Sequence, residues 1–150
     1  MNISVRPNAK SIVRGEWARF IFIAGRLCLD FAQTGGETEQ RAAWERFHQP
    51  SDLADWFSES PLQLAGIQVS PEEFKTALSL REAIWRVTQA IRQNESPLAE
   101  DIDTINRLAS RPDLPPQLLG DGSKRAWHSS AATPAALSTI ARDAIDLFSS

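Results

Sequence analysis

Three dipeptides of one kind constrain this chain's fold more than any other feature: Ser70-Pro71, Ser96-Pro97 and Thr133-Pro134. A hydroxyl side chain accepts a hydrogen bond from the free N–H groups of a helix's first turn. A proline fits the first helical position, where its missing N–H costs nothing. At Ser70 the signal is complete, because Glu73 stands where a capping box returns its bond. The spacing predicts helices from Ser70 to about Gln93, from Ser96 to about Ser110 and from Thr133 to about Phe148. A chain of 150 residues can bury one real core. Its 42% apolar and 23% charged residues exclude a collagen-like, low-complexity or wholly disordered chain.

Around these helices the signals are shorter. Arg19 to Ile23 carries Phe, Ile, Phe and Ile in succession and reads as a strand. Arg26 to Thr34 reads as a short helix, with Gly35-Gly36 supplying a left-handed C-cap. Glu37 to Gln49 is open between one helical face and a loop anchored by Trp44 and Phe47. Ser51 reads as the N-cap of a helix carrying Leu53, Trp56 and Phe57. Gln117–Leu119 and Lys124–Ser129 flank Gly120-Asp121-Gly122, a hairpin pattern able to pair with the Phe20 strand. The expected fold is α+β and predominantly helical. Four to six helices pack with a small antiparallel sheet made of the N-terminal strand and a hairpin near 117–129. Residues 1–17 are expected to be a flexible polar arm and 18–150 a single domain. Arg6, Lys10 and Arg14 against Glu16 leave a nucleic-acid-binding arm as the alternative for the first segment.

Charge and composition narrow the function. With a net charge of −3 the chain lacks the basic footprint of a protein that grips duplex DNA with its own surface. One cysteine, Cys28, makes neither an internal disulfide nor a cysteine zinc site. It reads as a small core residue. The apolar run from Phe20 to Ala32 is broken by Arg26 and Asp30 and is too short to span a bilayer, and the first residues lack a signal-peptide pattern. A cytoplasmic protein with no membrane partner is expected. No nucleophile elbow, P-loop or HExxH motif occurs, and His48 and His128 have no informative spacing. The expectation is a non-enzyme with no cofactor and no metal.

Helical geometry sorts the polar residues, at about 100° per residue. On the Ser70 helix, Phe74, Ala77, Leu80, Ile84, Trp85, Val87 and Ile91 share a broad arc, and Arg81 falls inside it. Lys75, Glu82, Arg86 and Gln89 fall outside. On the mostly apolar Arg26 helix, Arg26, Asp30, Gln33 and Thr34 form the one polar stripe. A buried guanidinium stays charged and needs acceptors, which makes Asp30 the natural partner of Arg81. Two readings of that pair stand: a structural clamp between helices, or the lining of a pocket for a small anion or polar metabolite. Asn106, at the edge of its helix's core stripe, either bonds nearby backbone or lines the same cleft. Trp127 is core, rim or interface. Arg142 and Asp146 read as a solvated pair on the last helix.

Several segments together resemble a known family. Gly25-Arg26-Leu27-Cys28-Leu29-Asp30-Phe31-Ala32-Gln33-Thr34 resembles the "G-x-L-x-L-D-F-x-N-T" opening of the ABATE domain. Ser51-Asp52-Leu53-Ala54-Asp55-Trp56 resembles its "s-x-x-D-L-x-x-W" segment, with different spacing. Leu80-Arg81-Glu82-Ala83-Ile84 resembles its "L-R-E-A-I" helix. Ile105-Asn106-Arg107-Leu108 and Ala141-Arg142-Asp143-Ala144 follow in order. Gln33 stands where the family usually has Asn. The resemblance implies an α+β fold and the N-terminal sensor or ligand-binding part of a stress-responsive bacterial transcription regulator. In such proteins DNA contact is assigned to a following CGNR zinc finger. These 150 residues contain no C-x-x-C and no Gly-Asn-Arg, so nucleic acid is expected to be met only through a finger absent from this chain. The family's recurring Asp and Arg fall on Asp30 and Arg81. The expected site is therefore Arg81, Asp30, Gln33 and Thr34, with Asn106 and Trp127 at the rim, holding a small polar or anionic ligand. The alternative is a protein–protein module, such as a homodimer, with no ligand.

Overall fold

The computed structural model describes residues 19–150. The expected arm at 1–17 lies outside the described residues. Among the described residues six helices and one two-stranded sheet follow in the order α1 (Leu27–Ala32), α2 (Glu39–Ala42), α3 (Pro50–Glu59), α4 (Pro71–Arg92), α5 (Ala99–Ala109), β1 (Pro116–Leu118), β2 (Arg125–Trp127) and α6 (Thr133–Phe148). The fold is α+β and mostly helical.

Helix α4 is the spine. It packs against α1, α3, α5 and α6, while α6 also packs on α1 and α5. Its start follows the chain's strongest local signal: Glu73 N–H donates to Ser70 Oγ and Ser70 N–H donates to the Glu73 carboxylate. The core contains Phe31, Leu53, Trp56, Phe57, Leu80, Ile84, Leu137 and Ile140. Phe20, Phe47, Phe31, Trp56 and Phe57 form a run of tilted and edge-on aromatic contacts with centroids 5.3 to 6.1 Å apart. These rings seat the connections onto the helices.

Several boundaries differ from expectation. Residues 21–23 belong to no strand. Phe20 is buried and Phe22 contacts Trp56 at 5.6 Å, whereas Ile21 and Ile23 are exposed. Side-chain packing, rather than a ladder, holds this segment. The sheet is therefore the hairpin alone, antiparallel with Gln117 opposite Ala126. Helix α3 starts at Pro50, because the Asp52 carboxylate accepts from the N–H groups of His48 and Gln49. Helix α5 starts at Ala99, two residues past Pro97. Glu37–Gln49 contains one short helix, α2, capped by Thr38.

Gly35 and Gly36 follow α1 but do not form the expected left-handed cap. Gly35 has φ of +144°, outside the αL region. A Cβ on Gly35 would overlap Glu45, and one on Gly36 would overlap the Arg41 guanidinium. The glycines let two charged side chains lie directly against the backbone.

Candidate functional site

Arg81 is buried, as its place in the apolar arc requires, with 2% of its surface exposed. Its partner is not Asp30. Nη1 and Nη2 donate to the two carboxylate oxygens of Glu45 at 2.6 and 2.7 Å, and Nε donates to Glu82 at 3.1 Å. Nη1 also reaches Thr34 Oγ1 at 3.4 Å. Glu82, expected to face water, is buried and joins a second cation, Arg41, at 2.7 Å. Arg41 in turn lies over the Trp85 ring at 4.3 Å. Two guanidinium groups and two carboxylates thus form one internally neutral network between α4, α2 and the loop after it. Each buried charge has an opposite charge in reach, the condition for burying ions without a large penalty. The Arg81 guanidinium and the Phe47 N–H bonded to Glu45 at 2.9 Å hold the Glu45 carboxyl below its usual range, against the raising effect of burial.

Asp30 has a different task. Its Oδ1 accepts from Ala24 N–H at 2.9 Å, which turns the chain into α1. The carboxylate is buried, and burial raises its pKa while the Ala24 and Ile23 backbone bonds oppose that rise. Among the described residues it forms no ion pair with any cation.

Asp30, Gln33 and Thr34 nevertheless meet. They line one cavity of about 190 Å³ together with Arg19, Phe20, Ile21, Ile23, Trp44 and Arg46. Arg46 lies over the Trp44 ring at 4.8 Å and has no carboxylate partner among the described residues. Its backbone N–H donates to Thr34 O at 2.8 Å and to Glu45 at 3.1 Å. Arg19, by contrast, is engaged by Asp52 and Asp55 at 2.7 and 3.0 Å. Arg81 stands behind this cavity rather than in its lining. It holds Glu45 and Thr34, and so fixes the loop that presents Trp44 and Arg46.

The two rim residues lie elsewhere. Asn106 is exposed on α5 and lines neither this cavity nor the two others that follow. Trp127 Nε1 donates to Leu62 O at 2.7 Å, and the ring borders a separate cavity of about 410 Å³ with Gly66, Gln68 and His128. His128 is exposed and its Nδ1 bonds Ser130, while His48 is exposed at the start of α3. Trp44 also forms a wall of a third, open cavity with Gln33, Gln40, Arg41 and Trp85. No group of three or more His, Cys, Asp or Glu among the described residues is placed to hold a metal ion. No helix among them is long and apolar enough to cross a membrane.

Sequence reasoning missed Glu45, Glu82, Arg41 and Arg46. Adjacency to an inward arginine was the available signal for Glu82. For the other three no periodic pattern existed, because they sit on a one-turn helix and a loop.

Helix α1 carries the cavity's Asp30 and also contacts α6: Arg26 donates to Asp143 O at 3.0 Å and Cys28 N–H to the Asp143 carboxylate at 3.0 Å. The Arg142–Asp146 pair expected on α6 does not form. Arg142 instead donates to the carbonyls of Ala109 and Arg111 and pairs with Asp113. No curated protein and no solved structure is significantly similar to the chain. The model of the ABATE family, described as "Putative stress-induced transcription regulator", matches residues 25–150, with Asp30 and Arg81 inside the match, and the protein belongs to that family.

Proposed function

We propose that this domain is the non-enzymatic, ligand-responsive part of a transcription regulator, and that a small polar or anionic ligand enters the cavity lined by Asp30, Gln33, Thr34 and Arg46. One observation carries the reading. A guanidinium without a carboxylate partner among the described residues shares a small cavity with three polar residues of α1 and its C-terminal end. Arginine's planar fork suits carboxylate or phosphate oxygens. Arg81, expected from the sequence to touch the ligand, has its donors engaged by Glu45, Glu82 and Thr34, so it acts as a positioning residue. Helix α1 links the cavity to α6 through Asp143, so a ligand that prefers one seating of α1 shifts the docking of α6. In this reading DNA contact belongs outside this chain.

A thermal-shift screen of small anions and polar metabolites on the wild type and on Arg46→Gln tests this. A ligand at a hundred times its Kd adds roughly 2.7 kcal/mol of stability, a rise of several degrees in a domain this size. The expected result is stabilisation of the wild type that disappears in Arg46→Gln. Equal stabilisation of both proteins, or none of either, removes the reading.

A second reading has its own support. Ile21, Ile23 and Trp44 are exposed around the cavity mouth, and apolar groups clustered at a surface suit a protein partner or a homodimer with no ligand. Sedimentation velocity of the wild type and of Ile23→Asp with Trp44→Ala decides it. A dimer that the double variant dissociates supports the interaction module, and a monomer throughout counts against the homodimer.

A further inference from the structure

Resting on the reading of this cavity as a ligand site, we propose that its occupant is a small zwitterion, an α-amino acid with a short side chain, its carboxylate on Arg46 and its ammonium on Asp30. Three charged side chains line the cavity; Arg19 is engaged by Asp52 and Asp55, which leaves Asp30 and Arg46, of opposite sign and not paired with each other. Asp30 is buried and has no cation partner among the described residues; Arg46 has no anion partner among them. Both line the same cavity. The Asp30 carboxylate is held by backbone N–H groups alone, with no cation beside it among the described residues, and a cation that reaches it relieves part of the cost of burying its charge. A simple anion would satisfy Arg46 and leave Asp30 to repel it. A simple cation would do the reverse. A molecule with both charges on one short frame satisfies both.

Size and lining agree with this chemistry. About 190 Å³ matches roughly six water volumes, or about six to eight non-hydrogen atoms. Phe20, Ile21 and Ile23 supply an apolar wall for a short aliphatic side chain, and Gln33 and Thr34 add polar groups at the α1 side. The Arg46 guanidinium is steadied by the Trp44 face at 4.8 Å, and its backbone is pinned by Thr34 and Glu45. Each end of the ligand would therefore meet a group held in place before binding, which limits the ordering cost.

Calorimetric titration of the wild-type protein at pH 7 separates the possibilities. The probes are L-alanine and L-valine, the matched acids propionate and 3-methylbutanoate, and the matched amines ethylamine and 2-methylpropylamine. The expected result is that one amino acid binds at least about tenfold more tightly than its matched acid and its matched amine, the least that a charge-assisted bond in a desolvated site contributes. Arg46→Gln is expected to lower amino-acid affinity to that of the matched amine. Acids that bind as tightly as the amino acids overturn the zwitterion and leave the anion-pocket reading standing. Amines that bind as tightly overturn it through Arg46. Absence of binding by all six probes overturns the zwitterion, while the wider thermal-shift screen of anions then decides the pocket separately. The comparison among probes uses unaltered protein, so it remains decisive even if Asp30→Asn, which weakens the Ala24 bond, fails to fold.

Discussion

At the scale of the residue, the molecule is organised by charges that face inward. Arg81 is paired with two glutamates, so removing it leaves Glu45 and Glu82 with a net uncompensated charge against apolar walls. Arg81→Ala is expected to cost on the order of 3–5 kcal/mol in urea denaturation. Arg81→Lys is also expected to be costly, because an ammonium cannot chelate both Glu45 oxygens while reaching Glu82. The same network sets a pH dependence. The Glu45 pKa is lowered from 4.5 in the folded state, so its contribution is present above about that value and is lost as pH falls through the folded pKa. Asp30, whose pKa is raised, acts in the opposite sense: folding with a protonated carboxyl is easier, so acidification relieves part of its cost. Glu45→Gln should lower stability at pH 7 and flatten the acid limb of the stability curve; a parallel curve would show that Glu45 is not the group titrating. Cys28 carries a third consequence. Burial first, then the Asp143 carboxylate, pushes its thiol up to about 12, so it stays protonated near neutrality. A thiol reagent is expected to label it only after unfolding, and rapid labelling of the native protein would contradict its placement.

At the scale of the element, helix starts decide where the chain turns inward. Ser70 and Glu73 exchange two hydrogen bonds at the entry of α4. Ser70→Ala is expected to cost about 1 kcal/mol, read from the shift in denaturation midpoint at unchanged slope. Local signals of this kind were legible, and α4 and α6 lie within a residue or two of their predicted spans. The signals that misled were those in which a side chain served a distant group. Ser96-Pro97 signals the start of α5, but the N-cap position falls on Leu98, whose side chain makes no capping bond. The Phe20–Ile23 alternation is real, yet its inward rings meet aromatic side chains of the core instead of bringing a strand to the hairpin. Gly35 and Gly36 do follow the end of α1, but in place of a left-handed cap they admit Glu45 and Arg41 against the backbone. Gly36→Ala should therefore disturb the Arg41–Glu82 pair without changing the helix content measured by circular dichroism.

At the scale of the whole molecule, α1 joins the cavity to the C-terminal helix. It is short, it presents Asp30 to the cavity, and its first residues hang on Asp143 of α6. Asp143→Ala removes the acceptor for Cys28 N–H and the carboxylate partner of Arg26 in one step, leaving Arg26 only the backbone carbonyl of residue 143. Hydrogen exchange is expected to quicken in α1 and α6 together while α4 stays protected, since α4 is packed on four helices. Loss of protection confined to α6 would show that α1 is held by its own packing and is no link between the two.

Local chemistry in the sequence was enough to set the fold class, the long helices and the burial of Arg81, because capping, proline geometry and helical periodicity act over a few residues. It also marked Asp30, Gln33 and Thr34 as one polar stripe, and those three do share a cavity. Which carboxylate neutralises Arg81 was settled only by tertiary packing. Glu45 arrives from a loop with no periodic pattern, 36 residues away, and a buried ion pair depends on where two segments meet in space. The same packing put Arg46 rather than Arg81 in the cavity's lining, since four of the five Arg81 N–H donors are already held by Glu45, Glu82 and Thr34.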